Sequence, residues 1–328
     1  MTEALRQHEG NESLMPDHLA IPDKLRTTVT DLMSEMGLSQ TAVAKKAGLS
    51  VTALNQWLNG RYPGDDQGVS VKVEKWISGV KVQKKVREAL IELPEFVNTP
   101  IANRIISTLA MAQFRRDFAV IYGGSGIGKT KSAEQYLRVN SNVWLITASP
   151  QCSTICGVLE KVAHAIGLKG LSHRLNRLSE SIVEKLRGAD GLLVIDEAQH
   201  LPRLTLEAIR TIHDEARVGV AMLGSNELFF NLTGGAKRSQ EHAPLFGRVG
   251  CRRDFTKPAA EDVAALALCI GITGTQELKT LCGIAKEPGA LRVVAKTMAL
   301  AAMTASASSE KLCNSHLVAA WQDLVGDK

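Results

Sequence analysis

Two rhythms of apolar and polar residues divide this chain. From Asp23 the apolar positions recur three and four residues apart: Leu25, Val29, Leu32, Met33 and Met36 share one helical face, and Gly37 can close it. A short helix carrying Val43, Ala44 and Ala47 follows and ends at Gly48. Ser50 can then cap another through Val51, Leu54, Trp57 and Leu58. Residues 61–68 are a turn-rich break, after which Val71, Val73, Trp76, Ile77, Val80 and Val82 interleave with lysines up to Leu90. Beyond Leu93-Pro94 and Thr99-Pro100 the rhythm changes. Helical stretches (99–113, 154–166, 173–187 and 204–213) now alternate with short continuous apolar runs at 118–121, 142–147, 191–195 and 218–223. Short runs with no polar face, separated by helices, predict a parallel sheet covered on both sides, an α/β fold. A last strand is expected over 251–255. From Pro258 the pattern is helical again, over 259–268, 277–285, 290–305 and 315–324.

These patterns predict a flexible leader (1–22), a small helical domain (23–80), a basic linker (81–98), an α/β core (99–257) and a C-terminal helical domain (258–328). In the small domain, two short helices meet at a glycine with Ala44 where their backbones cross, which is what a helix-turn-helix needs. It resembles the lambda-repressor-like group, whose rhythm of LSQ, A, GLS, L and WLNG it reproduces. Thr52, Asn55 and Gln56 on the outer side of the second helix, with Arg61 beyond, are candidates for DNA contact. A bundle that docks protein is the alternative.

Composition narrows the function less than pattern does. A hydrophobic content of 45% with 22% charged residues describes a globular chain, and +5 of net charge permits a polyanionic partner without demanding one. Aromatic residues are only 4%, so platforms for stacking bases have little material. No run looks long enough to span a bilayer, and the first residues lack the basic-then-apolar order of a secretory signal, so the cytoplasm is the default expectation. Six cysteines sit in apolar segments without zinc-finger spacing and are expected to be buried free thiols.

The chemistry centres on residues 122–130, Tyr-Gly-Gly-Ser-Gly-Ile-Gly-Lys-Thr. A strand, a glycine loop and a helix in this order form a P-loop, in which the backbone N–H groups of Gly123, Gly124, Ser125, Gly126, Ile127 and Gly128 surround phosphate oxygens. Lys129 would reach the β- and γ-phosphates, Thr130 would bind Mg²⁺, and Lys131 closes the motif. The run ending in Asp196-Glu197 predicts a second strand with carboxylates at its carboxyl edge: Asp196 for the metal, Glu197 to polarise the attacking water. Asn226, at the tip of the strand between them, is the expected water-orienting sensor. Arg248, just before the last strand, is expected to reach a neighbouring subunit's γ-phosphate, with Arg252, Arg253 and Arg238 as substitutes. Arg292 begins a helix that would lie over the nucleotide.

P-loop, acidic strand, sensor strand, pre-strand arginine and a helical lid with Gly-Ala-Leu-Arg together resemble an AAA+ ATPase from residue 99 onward. With the helix-turn-helix in front, the chain is similar to the MuB family of Mu-like transposable phages. NVWLITASPQC, GLLVIDEAQHL, LFGRV and KEPGALRVVAKTMALAAMTA carry that likeness. The resemblance implies an ATP- and Mg²⁺-dependent protein that binds duplex DNA without sequence preference. It implies assembly as a helical filament, delivery of target DNA to a transposase, and stimulation of strand transfer. Arg174 and Arg177 stand where the family's basic DNA-facing loop would be, with fewer basic neighbours. Two other readings are a nucleotide-controlled regulator bound to one operator and an AAA+ loader whose N-terminal domain docks protein. A metabolic kinase fits less well, since no acceptor-substrate motif is visible.

Overall fold

The computed structural model describes residues 22–89, 93–170, 172, 174–234 and 247–326, which fall into two compact units dividing after Ala89. Residues 1–21 of the expected leader and the segment bearing Arg238 lie outside the described residues, and Pro22, expected to end the leader, already begins the first helix.

The first unit is a four-helix cluster: α1 (Pro22–Met36), α2 (Gln40–Ala47), α3 (Val51–Leu58) and α4 (Asp66–Ala89). Ser39 and Ser50 accept hydrogen bonds from Ala42 N and Ala53 N, capping α2 and α3. Gly48, left-handed at φ 67°, makes the turn between them. Val29, Val43, Ala44, Leu54, Trp57 and Val73 are fully enclosed, and Trp57 Nε1 donates to Ser70 Oγ at 3.1 Å. The helix α4 differs from expectation at both ends. It starts within the supposed turn, where Asp65 Oδ1 accepts from Gly68 N at 2.9 Å, and it runs nine residues past the supposed boundary at 80. Val69, Val73, Trp76, Ile77 and Val80 form one continuous buried stripe, and the lysines beside them leave it intact.

The second unit holds a five-stranded all-parallel sheet in the order β2-β3-β4-β1-β5. Its strands are β1 (Phe118–Gly123), β2 (Val143–Thr147), β3 (Leu192–Asp196), β4 (Gly219–Gly224) and β5 (Val249–Phe255). Alternation along each central strand feeds two cores. Phe118, Val120, Leu193, Ile195, Val220 and Met222 meet α7 (Ile155–Ala165), α8 (Leu175–Leu186), α9 (Arg203–Ala216) and α10 (Asn226–Thr233). Ala119, Ile121, Leu192, Val194, Ala221 and Leu223 meet α5 (Pro100–Arg115) and α6 (Lys129–Val139). The edge strand β5 buries only Cys251 and Phe255.

Four further helices, α11 (Ala260–Leu268), α12 (Thr275–Ile284), α13 (Ala290–Ala307) and α14 (Asn314–Val325), enclose a third core. By length and composition α13 is apolar enough to cross a bilayer, contrary to the expectation that no run was. Here its Leu291, Val294, Met298 and Ala301 are the centre of that core. Leu93 and Val97, expected in a linker, pack against the same core. Asp262, fully buried, fastens α11 to α5: its two carboxylate oxygens accept from Ile101 N and Ala259 N, each at 2.8 Å.

Candidate functional site

The carboxyl ends of β1, β3 and β4 open onto one cavity of about 750 Å³, where open α/β sheets gather ligands. On one wall lies the glycine loop. Its backbone turns through positive φ at Gly123 (139°), Gly126 (78°) and Gly128 (95°), and α6 begins directly at Lys129. The concave run of N–H groups this produces, at the positive end of a helix, suits an anion. The loop is also pinned from behind: Gly124 N donates to Phe255 O at 3.1 Å, and a Cβ at Gly124 would meet Thr256 O at 2.6 Å. Ile127 is buried under the loop, and Ser125 lines the cavity.

Lys129 Nζ donates to the carbonyls of Gly124 (2.8 Å) and Gly123 (3.1 Å). Burial holds its ammonium below the usual lysine range and the Arg292 charge adds to this, while Asp196 and Glu197 oppose it. Thr130 Oγ1 donates to Asp196 Oδ2 at 2.6 Å, and Glu197 N donates to Asp196 Oδ1 at 2.9 Å. Asp196 is 2% exposed, and burial raises its carboxyl above the ordinary range against those two hydrogen bonds. A hydroxyl and a carboxylate so joined are hard oxygen donors of the kind that hold magnesium, so the pair fits the expected ion. Lys131 lines the cavity but pairs outward with Glu134 at 2.9 Å.

The lid closes the opposite wall. Gly289, at φ 99°, starts α13, and Arg292 N donates back to Gly126 O at 3.2 Å, seating the lid on the loop. Arg292 lines the cavity, and Leu93, Phe96, Val97, Leu266 and Leu291 give it an apolar end. Phosphate chemistry at one end and an apolar slot at the other suit a nucleotide.

Glu197 also lines the cavity, in a left-handed conformation (φ 55°, ψ 33°). Its Oε2 accepts from Gln199 Nε2 at 2.5 Å, and Gln199 Oε1 accepts from Ser225 N at 3.1 Å. Ser225 Oγ is buried and makes no hydrogen bond. The expected sensor, Asn226, is not brought to this group. It stands exposed in the first turn of α10 and does not line the cavity, because β4 ends at Gly224 and Ser225 occupies the junction. Sequence reasoning missed Ser225 and Gln199. The signal was the polar pair at the end of the apolar run, which pattern alone could not resolve to one residue.

Arg248 lies outside the cavity, in the turn before edge strand β5, where its half-exposed Nε pairs with Asp214 Oδ1 at 3.3 Å. Arg210 holds the same aspartate at 3.0 Å. Of the substitutes, Arg252 sits over the Phe229 ring at 5.0 Å and Arg253 is exposed. In the first unit Thr52, Asn55, Gln56 and Arg61 are exposed on or just beyond α3, with Asn55 Oδ1 accepting from Asn59 Nδ2 at 2.9 Å. In the second, Arg174 and Arg177 are exposed at the start of α8, whose Leu178 and Ile182 point inward. The expectation of buried thiols fails. Cys156, Cys269 and Cys313 are exposed, and only Cys251 is buried, because an apolar segment does not fix which face of its helix a cysteine takes. No cluster of metal-binding type occurs among the described residues.

Three family profiles match the chain: "Helix-turn-helix" over residues 31–66, "AAA domain" over 112–232, and "Mu B transposition protein, C terminal" over 247–324. The "ATP-dependent target DNA activator B" of Escherichia phage Mu is 35% identical over 285 residues, 86% of this chain and 89% of that protein. The "Mu-like prophage FluMu DNA transposition protein B" of Haemophilus influenzae is 33% identical over 81% of this chain and 92% of its own. Among solved structures, Drosophila ORC bound to DNA aligns with a TM-score of 0.50 at 12% identity, covering 74% of this chain and 65% of that one. That last likeness shows a common fold alone.

Proposed function

The chain belongs to the Mu B family of phage transposition proteins, and on that premise we propose that it is an ATP-dependent activator of target DNA. It binds and hydrolyses ATP, coats duplex DNA as a helical filament of many copies, and delivers that DNA to a transposase for strand transfer. One observation carries the nucleotide half of this: the cavity between loop and lid gathers Lys129, the Thr130–Asp196 pair, Glu197 and Arg292 around a cradle of backbone N–H groups. Lys129 and Arg292 orient the phosphates, and Glu197 accepts the proton of the attacking water. Magnesium, held by Thr130 and Asp196, supplies charge neutralisation at the phosphates when bound.

The assembly half rests on Arg248. It stands outside its own cavity beside the sheet edge, where an arginine serves a neighbour's γ-phosphate better than its own. A nucleotide shared between copies makes assembly depend on ATP, and a filament multiplies a weak cationic contact per copy along the phosphate backbone. Exposed Thr52, Asn55, Gln56 and Arg61 on the first unit, and independently Arg174 and Arg177 on the second, are the proposed DNA contacts.

Electron microscopy of the protein on long duplex DNA, with and without ATP, tests this directly. Filaments should form only with ATP and on unrelated sequences alike; a lone protomer in both conditions would overturn the proposal. Glu197→Gln should still bind ATP but stall turnover, leaving long-lived DNA complexes. Normal turnover in that variant would put the catalytic carboxylate elsewhere.

A further inference from the structure

Three arginines stand on or beside β5, and each is held differently. Arg252 lies over the Phe229 ring at 5.0 Å, and Arg253 is exposed on the strand. Arg248 is gripped by a carboxylate, its Nε 3.3 Å from Asp214 Oδ1. That carboxylate is engaged at both oxygens, since Asp214 Oδ2 accepts from Arg210 Nη1 at 3.0 Å. Arg210 is fixed in turn, its Nε donating to Glu207 Oε2 at 2.7 Å. Glu207, Arg210 and Asp214 follow one another at helical spacing on the polar side of α9, whose Leu206, Ile209 and Ile212 are fully buried. Asp214 therefore stands on an anchored helix and is braced from one side before it meets Arg248.

We propose that Asp214, braced by Arg210, is the positioning residue that aims Arg248 at the γ-phosphate bound by a neighbouring copy. The inference rests on Arg248 acting on a neighbour's nucleotide and not on its own. A guanidinium gripped at Nε keeps its outer nitrogens, Nη1 and Nη2, for another partner, and that fork is the part that matches two phosphate oxygens. A carboxylate set against the fork itself would turn the arginine back onto its own chain. The Arg248 side chain is 53% exposed, so without an anchor it would sample many rotamers. A side-on grip removes most of them before a phosphate arrives, and orientation fixed in advance is gained in rate. An ion pair this exposed adds little to folding stability, so the contact matters for aim. Asp214 also separates two cations: removing it leaves Arg210 beside Arg248, and their repulsion drives the guanidinium off its line.

Mixed assemblies of full-length chains separate lending an arginine from receiving one. Glu197→Gln keeps Arg248 to lend but should not hydrolyse ATP; Arg248→Ala keeps its own site but has no arginine to lend. With ATP, magnesium and duplex DNA present, mixing the two should restore turnover that neither shows alone. Asp214→Ala is then added to one partner at a time. On the lending chain, beside Glu197→Gln, it should lower the kcat of the mixture about tenfold and leave KM for ATP within about twofold, as expected when only the transition-state contact is misaligned. On the receiving chain, beside Arg248→Ala, it should change neither. Asp214→Asn on the lending chain, which keeps the oxygen and loses the charge, should fall between. A structural role for Asp214 would lower turnover from whichever chain carries the substitution. Equal losses from both chains, or no loss from the lending chain, overturn the aiming role while Arg248 still acts in trans. No restored turnover in the first mixture overturns the trans reading itself, and the aiming role falls with it.

Discussion

Gly126 is where the loop and the lid touch, and replacing it by alanine should cost more than loop chemistry alone predicts. At φ 78° any Cβ is strained, by about 1–2 kcal/mol. The added methyl would also stand 1.9 Å from Gly289 O and 3.1 Å from Arg292 Cβ. Ordinary carbon contacts need roughly 3.5 Å, so the first turn of α13 must retreat by more than ~1 Å. That retreat breaks the 3.2 Å bond from Arg292 N to Gly126 O, worth about 1 kcal/mol. The total, about 2–3 kcal/mol, corresponds to roughly 30- to 150-fold weaker ATP binding. Gly128→Ala is the matched control: its φ is 95° but nothing lies within 4 Å of a new Cβ, so only strain remains, for roughly 5- to 30-fold. Calorimetry gives the affinities, and hydrogen exchange over residues 290–296 reports the lid. Gly126→Ala should raise exchange there and Gly128→Ala should not. Equal affinity losses with an unchanged lid in both would refute the contact argument.

Asp262→Ala leaves two backbone N–H groups without their acceptor and should destabilise the second unit by about 2–4 kcal/mol, with Asp262→Asn intermediate. A thermal melt checks this, and a wild-type transition for the alanine variant would show that the fastening is dispensable. Among the exposed thiols, hydrogen bonds from Ser315 and His316 draw Cys313 below the ordinary range. Local desolvation and the Glu160 carboxylate push Cys156 above it. The thiolate is the nucleophile, so iodoacetamide should alkylate Cys313 at lower pH than Cys156, and peptide mass spectrometry across a pH series should show that order. The reverse order would mean that the capping contacts at α14 do not stabilise the anion.

Local chemistry was legible wherever it needs consecutive residues. A loop that wraps phosphate must be contiguous, so Gly123 to Thr130 announce themselves; a buried strand ending in carboxylates must be an unbroken apolar run, so Asp196 and Glu197 do as well. The helix cap at Ser50 could be read for the same reason, since it acts within three residues of itself, and the structure adds caps of the same kind at Ser39 and Thr99. Legibility fell off where a single-residue register mattered. Asn226 and Ser225 are equivalent polar residues in a pattern, yet only the latter sits at the strand tip facing the cavity.

The sequence by itself therefore determined the α/β class, the helix-turn-helix, the nucleotide loop and the acidic strand, because short-range periodicity and contiguous motifs specify them. Only the tertiary structure decided that Arg292 rests on Gly126, that Asp262 ties α11 to α5, that Asp214 holds Arg248, and that Gln199 joins Glu197 to Ser225. Those pairings span 2 to 166 residues, and each arises from how sheet, helices and lid close on one another. No periodicity encodes a contact of that kind, since the partners share no local pattern and meet only once the cores are packed.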